Sequence, residues 1–553
     1  MNFMEQAKTE YVFPVRVIDS QNVCWPENLL IRRELQPGFD VALPVRVEGR
    51  GFILIDFGRE LHGGARIVTY QVRNNHHSAP IRLRFGESLS EACTPCGVKG
   101  ASNVHSLREI ETTLVSMSDM RFCQTGFRFL RIEFIEDTVI ELRSIVAEYR
   151  HCGLKFSGSF RSSDPLVDHI YETAANTLYL NFQNGMIWDG IKRDRCVWVG
   201  DMHPESLAVR ALFGQSDYLE RSLDFVVQTT PRGKWINDIP SYSMHWISVI
   251  RDYYFHTGDN VFLQKFVDFL EETLGMLDRS VTESGKLDFS LSGAKGEMPF
   301  FLDWPTYGTP DGYEGVFALL CRTADAAGTI LSECGRPDPT VRRIKEKLAH
   351  ARPGRAESKQ VIAMRVLAGL QSAELAAPRL AAGGEKGLSV FMSGYILSAL
   401  ARCRGYEGKA LDILRAYYGG MLKMGATTFW EDFDTGWMKD SCRIDELPQA
   451  GQKDIHGDFG RHCYAGFRHS LCHGWGASPV WFLTESIAGI EILEPGCRRI
   501  SLAPKLGGLE FVECVYPTPV GKLWMRAHRQ GEETIVEYDA PAGIKVESKQ
   551  GGG

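Results

Sequence analysis

From about residue 165 to 488 the chain keeps returning to apolar residues at helical spacing, and that run constrains its fold more than anything else. Leu166, Ile170, Ala174 and Leu178 mark the first helical face, opened by Asp164-Pro165, a cap followed by a first-turn proline. Similar patterns cover 203–213, 241–257, 261–279, 312–334, 338–350, 390–404, 408–421 and 472–488. With shorter stretches included, there are about ten to twelve segments. Long helices joined by Gly- and Pro-rich loops predict a helical toroid or stacked hairpins, and the lack of a fixed-period repeat argues against a solenoid.

Both flanks read as β. Before residue 155, Phe52–Phe57, Ala65–Val72, Ile81–Phe85 and Phe127–Phe134 alternate or are β-rich, with Gly63-Gly64 and Asn74-Asn75 as turn residues between them. Strands at that spacing predict an antiparallel sandwich. Small polar residues at Ser157–Ser163 form the connector. After Pro495-Gly496 the pattern is β again, at Ile500–Ala503, Leu509–Tyr516, Lys522–Ala527 and Thr534–Tyr538, with a Gly-rich tail after Gln550. The plan is multidomain α+β, with a β domain over 1–155, an all-helical domain over 156–490 and a small β domain over 491–553.

Composition narrows the function. Net charge is −7 with a pI of 6.1 and no basic block, which argues against a nucleic-acid partner. No apolar run is read as long enough to span a membrane. Met1–Lys8 lacks an apolar signal core, and 14 unpatterned Cys fit a reducing compartment, so a cytoplasmic protein is expected. Cys93-Thr-Pro-Cys96 has no second pair at zinc spacing. No phosphate loop, dinucleotide fingerprint, acyl-transfer Ser elbow or H-E-x-x-H is present, so neither metal nor cofactor is expected. His62, His105 and His151 read as ordinary surface or core histidines.

Chemistry concentrates in the loops between helices. Asp189–Asp201 packs three carboxylates, three basic side chains and Trp198 into thirteen residues. Such a crowd is either an ion-pair staple between helices or the wall of a polar pocket, since unpaired buried charge is costly. Three further clusters also pair an acid with Trp: Trp235 and Asp238 with Tyr242 and His245; Asp303-Trp304; and Trp430-Glu431 with His469, His473 and Trp475. Carboxylates accept from several sugar hydroxyls while an indole covers the apolar ring face. Glycoside hydrolysis needs two carboxyls flanking the scissile bond. A carbohydrate is therefore the expected partner; oligomeric state has no sequence signal.

Asp189–Asp201 resembles the D-x-x-x-R-[E/D]-R-x-x-W-x-G-D signature of the inverting α-L-rhamnosidases, family 78 of the glycoside hydrolases. Asp56-Phe-Gly58 with Gly63-Gly64, Gly158-Ser-Phe160 with Ser163-Asp-Pro165, Gly425–Glu431 (G-A-T-T-F-W-E) and His473-Gly-Trp475 are similar to other motifs of that family. The resemblance implies an (α/α)6 barrel between N-terminal and C-terminal β-sandwich domains. It implies that Asp189, Arg193, Trp198 and Asp201 line the sugar subsite, with Asp194 as general acid, Glu431 as the base activating water and His473 as a hydroxyl contact. Asp194, in a dry pocket beside Trp198, would protonate the leaving oxygen. Trp235, His245, Asp303, Trp304, Trp430 and Trp475 join the substrate-binding set from the acid–Trp pattern. The family usually carries Glu where this chain has Asp194, a side chain shorter by about 1.5 Å; Glu205 is the second carboxyl weighed for that role. A sugar lyase or phosphorylase on the same toroid, and a glycan-binding protein without catalysis, are the alternative readings.

Overall fold

The structure, a computed structural model, describes residues 7–39, 42–462 and 465–548. Residues 1–6, on which the reading of the N-terminal segment falls, and the Gly-rich tail lie outside the described residues.

The N-terminal part is one antiparallel sheet of β1 (Lys8–Val12), β2 (Arg16–Cys24), β3 (Val45–Arg73), β4 (Ser78–Gly86), β5 (Glu109–Val115), β6 (Ser118–Phe134) and β7 (Val139–His151). Residues 139–142 of β7 carry Val45–Glu48 of β3 on one edge and Thr69–Arg73 of the same strand on the other. The long strand therefore folds over, and a single ladder wraps one core that includes Ile53, Ile67, Leu83 and Ile145. The antiparallel strands expected from the sequence thus all belong to one continuous, folded-over sheet. Gly63 and Gly64, expected as turn residues, lie inside β3, at a register shift. A β-carbon on Gly63 would stand 1.8 Å from Glu148 O, and one on Gly64 2.2 Å from Phe122 O, so both neighbouring strands press on bare backbone. A short helix, α1 (Leu89–Cys93), follows β4, capped by the Ser88 side chain.

Residues of the polar connector form β8 (Ser159–Ser162), which pairs antiparallel with Phe511–Thr518 and so joins the C-terminal β part. That part has two sheets. One is β8 with three strands between Phe511 and Asp539; the other combines Ile490–Glu494, Arg499–Leu502 and Lys545–Ser548.

Between them, α2 (Pro165–Leu180) starts as expected, with Asp164 accepting from Leu166 N. Next come α3 (Val199–Leu212), α4 (Asp217–Thr229) and α5 (Pro240–Thr257), the last ended by Gly258 in the left-handed region. Among the described residues, six segments close a ring, each packed on the next: α3, α5, Pro310–Glu333, Lys359–Leu367, Val390–Ala401 and the Ser478–Trp481 helix with its continuation. Val390–Ala401 is buried all round, as an inner position requires. The amphipathic helices, including α4, Val267–Arg279 and Pro339–Ala349, bury one stripe each on the outside. Pro310–Glu333 corrects one expectation: by length and composition it is apolar enough to cross a membrane, and most of it is buried within the ring.

Candidate active site

Several inner helices begin at one rim, and the charged stretch 189–201 crosses it. Asp189 is fixed by backbone on both sides. Its N–H donates to Cys196 O at 3.1 Å, Cys196 N donates to its Oδ1 at 2.9 Å, and Gly474 N donates to its carbonyl at 2.7 Å. These bonds bring the His473 loop against the stretch, where Gly190 and His473 form a β-bridge. His473 Nε2 then lies 3.8 Å from Asp189 Oδ2, 3.8 Å from Asp201 Oδ2 and 4.0 Å from Glu431 Oε1.

Asp201 sits in the first turn of α3 and accepts from Tyr242 OH, on α5, at 2.9 Å. Gly200 makes that bond possible, because a β-carbon there would stand 2.2 Å from the Tyr242 ring. Gly474 does the same for Glu205, whose Oε1 lies 1.7 Å from where a β-carbon would be. The glycines of the V-G-D and H-G-W motifs are thus packing requirements of the site.

Arg193 is the hub. Its Nη2 donates to Glu431 Oε1 in a short bond, its Nη1 pairs with Asp194 Oδ1 at 2.8 Å, and its Nε donates to Arg468 O at 3.1 Å. Glu431 is further held by Ser470 N, which donates to its Oε2 at 3.2 Å, and by Trp475 Nε1, which donates to its carbonyl at 2.9 Å. Burial alone would raise the Glu431 pKa, but the Arg193 guanidinium, with the neighbouring His473 and His469, holds it down to about 2. The other buried carboxyls go the opposite way. Burial pushes Asp201 up to about 8 against the Tyr242 bond, and burial plus neighbouring carboxylates raise Asp189 and Glu205 well above the usual range. Burial also pushes His473 down to about 4 and His469 to about 3. At neutral pH Glu431 is the most firmly ionised of these carboxyls, while burial raises its cleft neighbours Asp303 to about 7 and Asp432 to about 6. Buried polar atoms without a partner among the described residues, Trp198 Nε1 and Glu205 Oε1, leave hydrogen-bonding capacity for a polyhydroxylated ligand.

Asp194 differs from the expected dry placement. Its side chain is 16% exposed, against 3% for Glu431 and 5% for Arg193, so it stands at the mouth of the pocket. Asp194 and Arg195 both have left-handed backbone, at φ 53° and 60°. Such residues cost of the order of 1–3 kcal/mol each and persist where surroundings hold them. Here Arg195 lies over the Trp188 ring at 4.7 Å and donates to Gln124 O at 3.2 Å.

The remaining sequence-derived residues divide. Asp303, Trp304 and Trp475 line one cleft with Glu431, Asp432 and Phe391, and Trp475 stacks on Phe391 at 5.0 Å. Trp198 stands edge-on to Tyr242 at 6.0 Å. Trp235 and Trp430 do not face the site. Trp235 is buried edge-on to Phe289, with its Nε1 donating to Ala294 O, and Trp430 is buried against Phe433 and His469. His245 lies a layer below, between His203 and Phe391. In these three, bulk that looked like ligand platform is core packing.

Sequence reasoning missed the support beneath Arg193. Lys192 Nζ pairs with Glu87 Oε2 at 2.9 Å and Glu91 Oε1 at 3.3 Å, and donates to Phe467 O at 2.9 Å and His469 O at 2.7 Å. Glu87 in turn accepts from Leu471 N at 2.6 Å and Ser470 Oγ at 3.2 Å. The segment that follows β4, with α1, thus reaches under the rim. The only local signal was a third cation in the stretch with no local partner. Among the described residues, two sets offer ligand atoms close enough for one cation: Asp189, Asp201 and His473, and Glu87, Glu91 and His456. In the second, Lys192 already supplies the positive charge.

Residues 155–315 match the family model of the bacterial alpha-L-rhamnosidase 6 hairpin glycosidase domain. No curated protein compared with the chain matches it. Among solved structures, the fold is similar to the GH78 family rhamnosidase of Bacillus sp. GL1, at 21% identity and TM-score 0.73 over 95% of this chain and 55% of that one. It is similar to the rhamnosidase from Klebsiella oxytoca with rhamnose bound, at 18% identity and TM-score 0.67 over 87% of this chain and 98% of that one. It is also similar to the Streptomyces avermitilis alpha-L-rhamnosidase complexed with L-rhamnose, at 17% identity and TM-score 0.71 over 98% and 50%. The chain spans about half the length of the Bacillus and Streptomyces proteins. The family match covers residues 155–315, and the structural likeness extends the shared fold over nearly all of the chain.

Proposed function

We propose that this chain, built around a six-hairpin glycosidase domain, is an inverting glycoside hydrolase that releases terminal α-L-rhamnose or a related deoxy-sugar. The observation that carries the reading is the Arg193 guanidinium, which spans Asp194 at the pocket mouth and Glu431 in its interior. The ring of six inner segments is read as the inner layer of an (α/α)6 barrel. Two structures of similar fold are described with rhamnose bound or complexed, which supports the choice of sugar.

The sugar enters with its ring against Asp189, Asp201, His473 and Trp475. Protonated Asp201 and Asp189 donate to ring hydroxyls as well as accept from them, and neutral His473 does the same. Glu431, kept ionised by Arg193, removes a proton from water as the water oxygen bonds to the anomeric carbon. The glycosidic C–O bond breaks on the opposite face, and the leaving oxygen takes the proton of Asp194. One water is consumed; Asp194 ends ionised and Glu431 protonated, and solvent exchange resets both. The ionised Glu431 beside Arg193 supplies the proton acceptor that activation of water requires. A phosphorylase would instead need a cationic pocket for phosphate, whereas Arg193 is already paired with the Asp194 and Glu431 side chains.

The test is turnover on aryl α-L-rhamnoside, aryl α-L-fucoside and an unsubstituted glycan panel. Hydrolysis of the rhamnoside is expected. Cleavage of the fucoside alone would contradict the sugar assignment, and binding without cleavage would support the glycan-binding alternative.

A further inference from the structure

We propose that His105, carried by the loop between α1 and β5 of the N-terminal sheet, positions the Asp194 carboxyl on the leaving-group side of the pocket. The inference rests on the reading of Asp194 as proton donor. Its ground is a clamp of two consecutive residues on the strained segment. Ser106 Oγ donates to Lys192 O at 2.6 Å and contacts Thr125 Oγ1 at 2.8 Å, which ties the loop to the backbone just before Arg193. His105 Nδ1 lies 3.5 Å from Asp194 Oδ1. His105 has left-handed backbone, at φ 75°, so three residues of unfavourable geometry, His105, Asp194 and Arg195, meet at one point. Strain concentrated at a reacting group is expected where neighbouring structure dictates its orientation.

Placement says which side this is. The side chains of Asp189, Asp201, Glu431 and His473 are 1–5% exposed, while Asp194 is 16% and His105 28% exposed. The sugar ring has its partners inside, so the departing group leaves past Asp194 and His105. Arg193 draws Asp194 Oδ1 inward toward Glu431; His105 approaches the same oxygen from the N-terminal domain. With both contacts on Oδ1, Oδ2 is the oxygen turned to the leaving group. The first β domain thus completes the acid half of the site.

The experiment compares an alkyl α-L-rhamnoside, whose departure needs protonation, with a dinitrophenyl α-L-rhamnoside, whose departure does not. His105→Ala is expected to lower kcat on the alkyl substrate about tenfold or more, part of what a well-placed general acid contributes. On the dinitrophenyl substrate kcat is expected to stay within about twofold, which also reports that the variant is folded. His105→Asn, which keeps a donor near the position of Nδ1, is expected to recover most of the loss. Equal losses on both substrates, or no loss on either, would overturn the proposal. Asp194→Asn run alongside separates the causes: if it lacks the same leaving-group dependence, the acid assignment fails and the role of His105 falls with it.

Discussion

Glu431→Gln is expected to lower kcat on an aryl α-L-rhamnoside by about 10³-fold, within the roughly 10²–10⁴ that a general base supplies. The size follows from the electrostatics of the rim. Arg193 keeps Glu431 ionised with a pKa of about 2, whereas Asp201 is pushed up to about 8 and Asp189 and Glu205 well above the carboxylate range. Asp303, raised to about 7, and Asp432, raised to about 6, lie in the same cleft, but Glu431 is the carboxyl that Arg193 contacts and holds ionised. Gln keeps the shape, can still accept from Ser470 N, and leaves the backbone bonds of residue 431 to Ser470 and Trp475 intact. The loss therefore belongs in kcat rather than KM. Wild-type turnover would remove Glu431 as the base, and a raised KM with unchanged kcat would place it in substrate binding alone.

Lys192→Met is expected to destabilise the protein by about 3–5 kcal/mol, because it leaves buried carboxyls without their cation. Glu87 and Glu91 lose their partner, Glu60 lies in the same cluster, and the carbonyls of Phe467 and His469 lose a donor. Burial raises Glu87 from 4.5 to about 7, although Lys192 pulls it down. A carboxyl with a raised folded pKa contributes stability that is fully present below its unfolded value and is lost as pH rises through the folded one. For Glu87 that window runs from 4.5 to about 7. Without Lys192 the folded pKa climbs further, so the penalty is larger at high pH. Thermal unfolding of wild type and variant at about pH 5 and pH 8 checks the sign: the Tm deficit should be larger at pH 8. An equal deficit at both would show that lost packing, not buried charge, is responsible.

The β–helical–β plan and most of the rim were legible in the sequence because they rest on local pattern. Helical spacing marked α5 and Pro310–Glu333 to within a few residues. The charge density of 189–201 marked the stretch as either an ion-pair staple or a pocket wall, and the structure gathers its side chains at the rim. What was not legible depends on direction and on distant contact. In an extended loop adjacent side chains face opposite ways; Glu431 faces the site, and Trp430 beside it is buried away from it. An acid next to a Trp marks a loop worth inspecting but does not say which of the pair meets the ligand. Gly63-Gly64 looked like a turn because close strand approach and left-handed freedom select the same residue. His105 and Glu87 carry no local signature, since their partners Asp194 and Lys192 lie about a hundred residues away in sequence. Asp194 itself reads differently in three dimensions: a partly exposed residue with left-handed backbone, 3.5 Å from His105.

The most direct test of the account is the configuration of the first-formed sugar, followed by proton NMR while wild-type protein hydrolyses an aryl α-L-rhamnoside. Water activated by Glu431 on the face opposite the leaving group gives β-L-rhamnose before mutarotation. Initial appearance of α-L-rhamnose would mean a covalent intermediate and retention, and would contradict the assignment of Glu431 and Asp194 as a base and acid separated by one water.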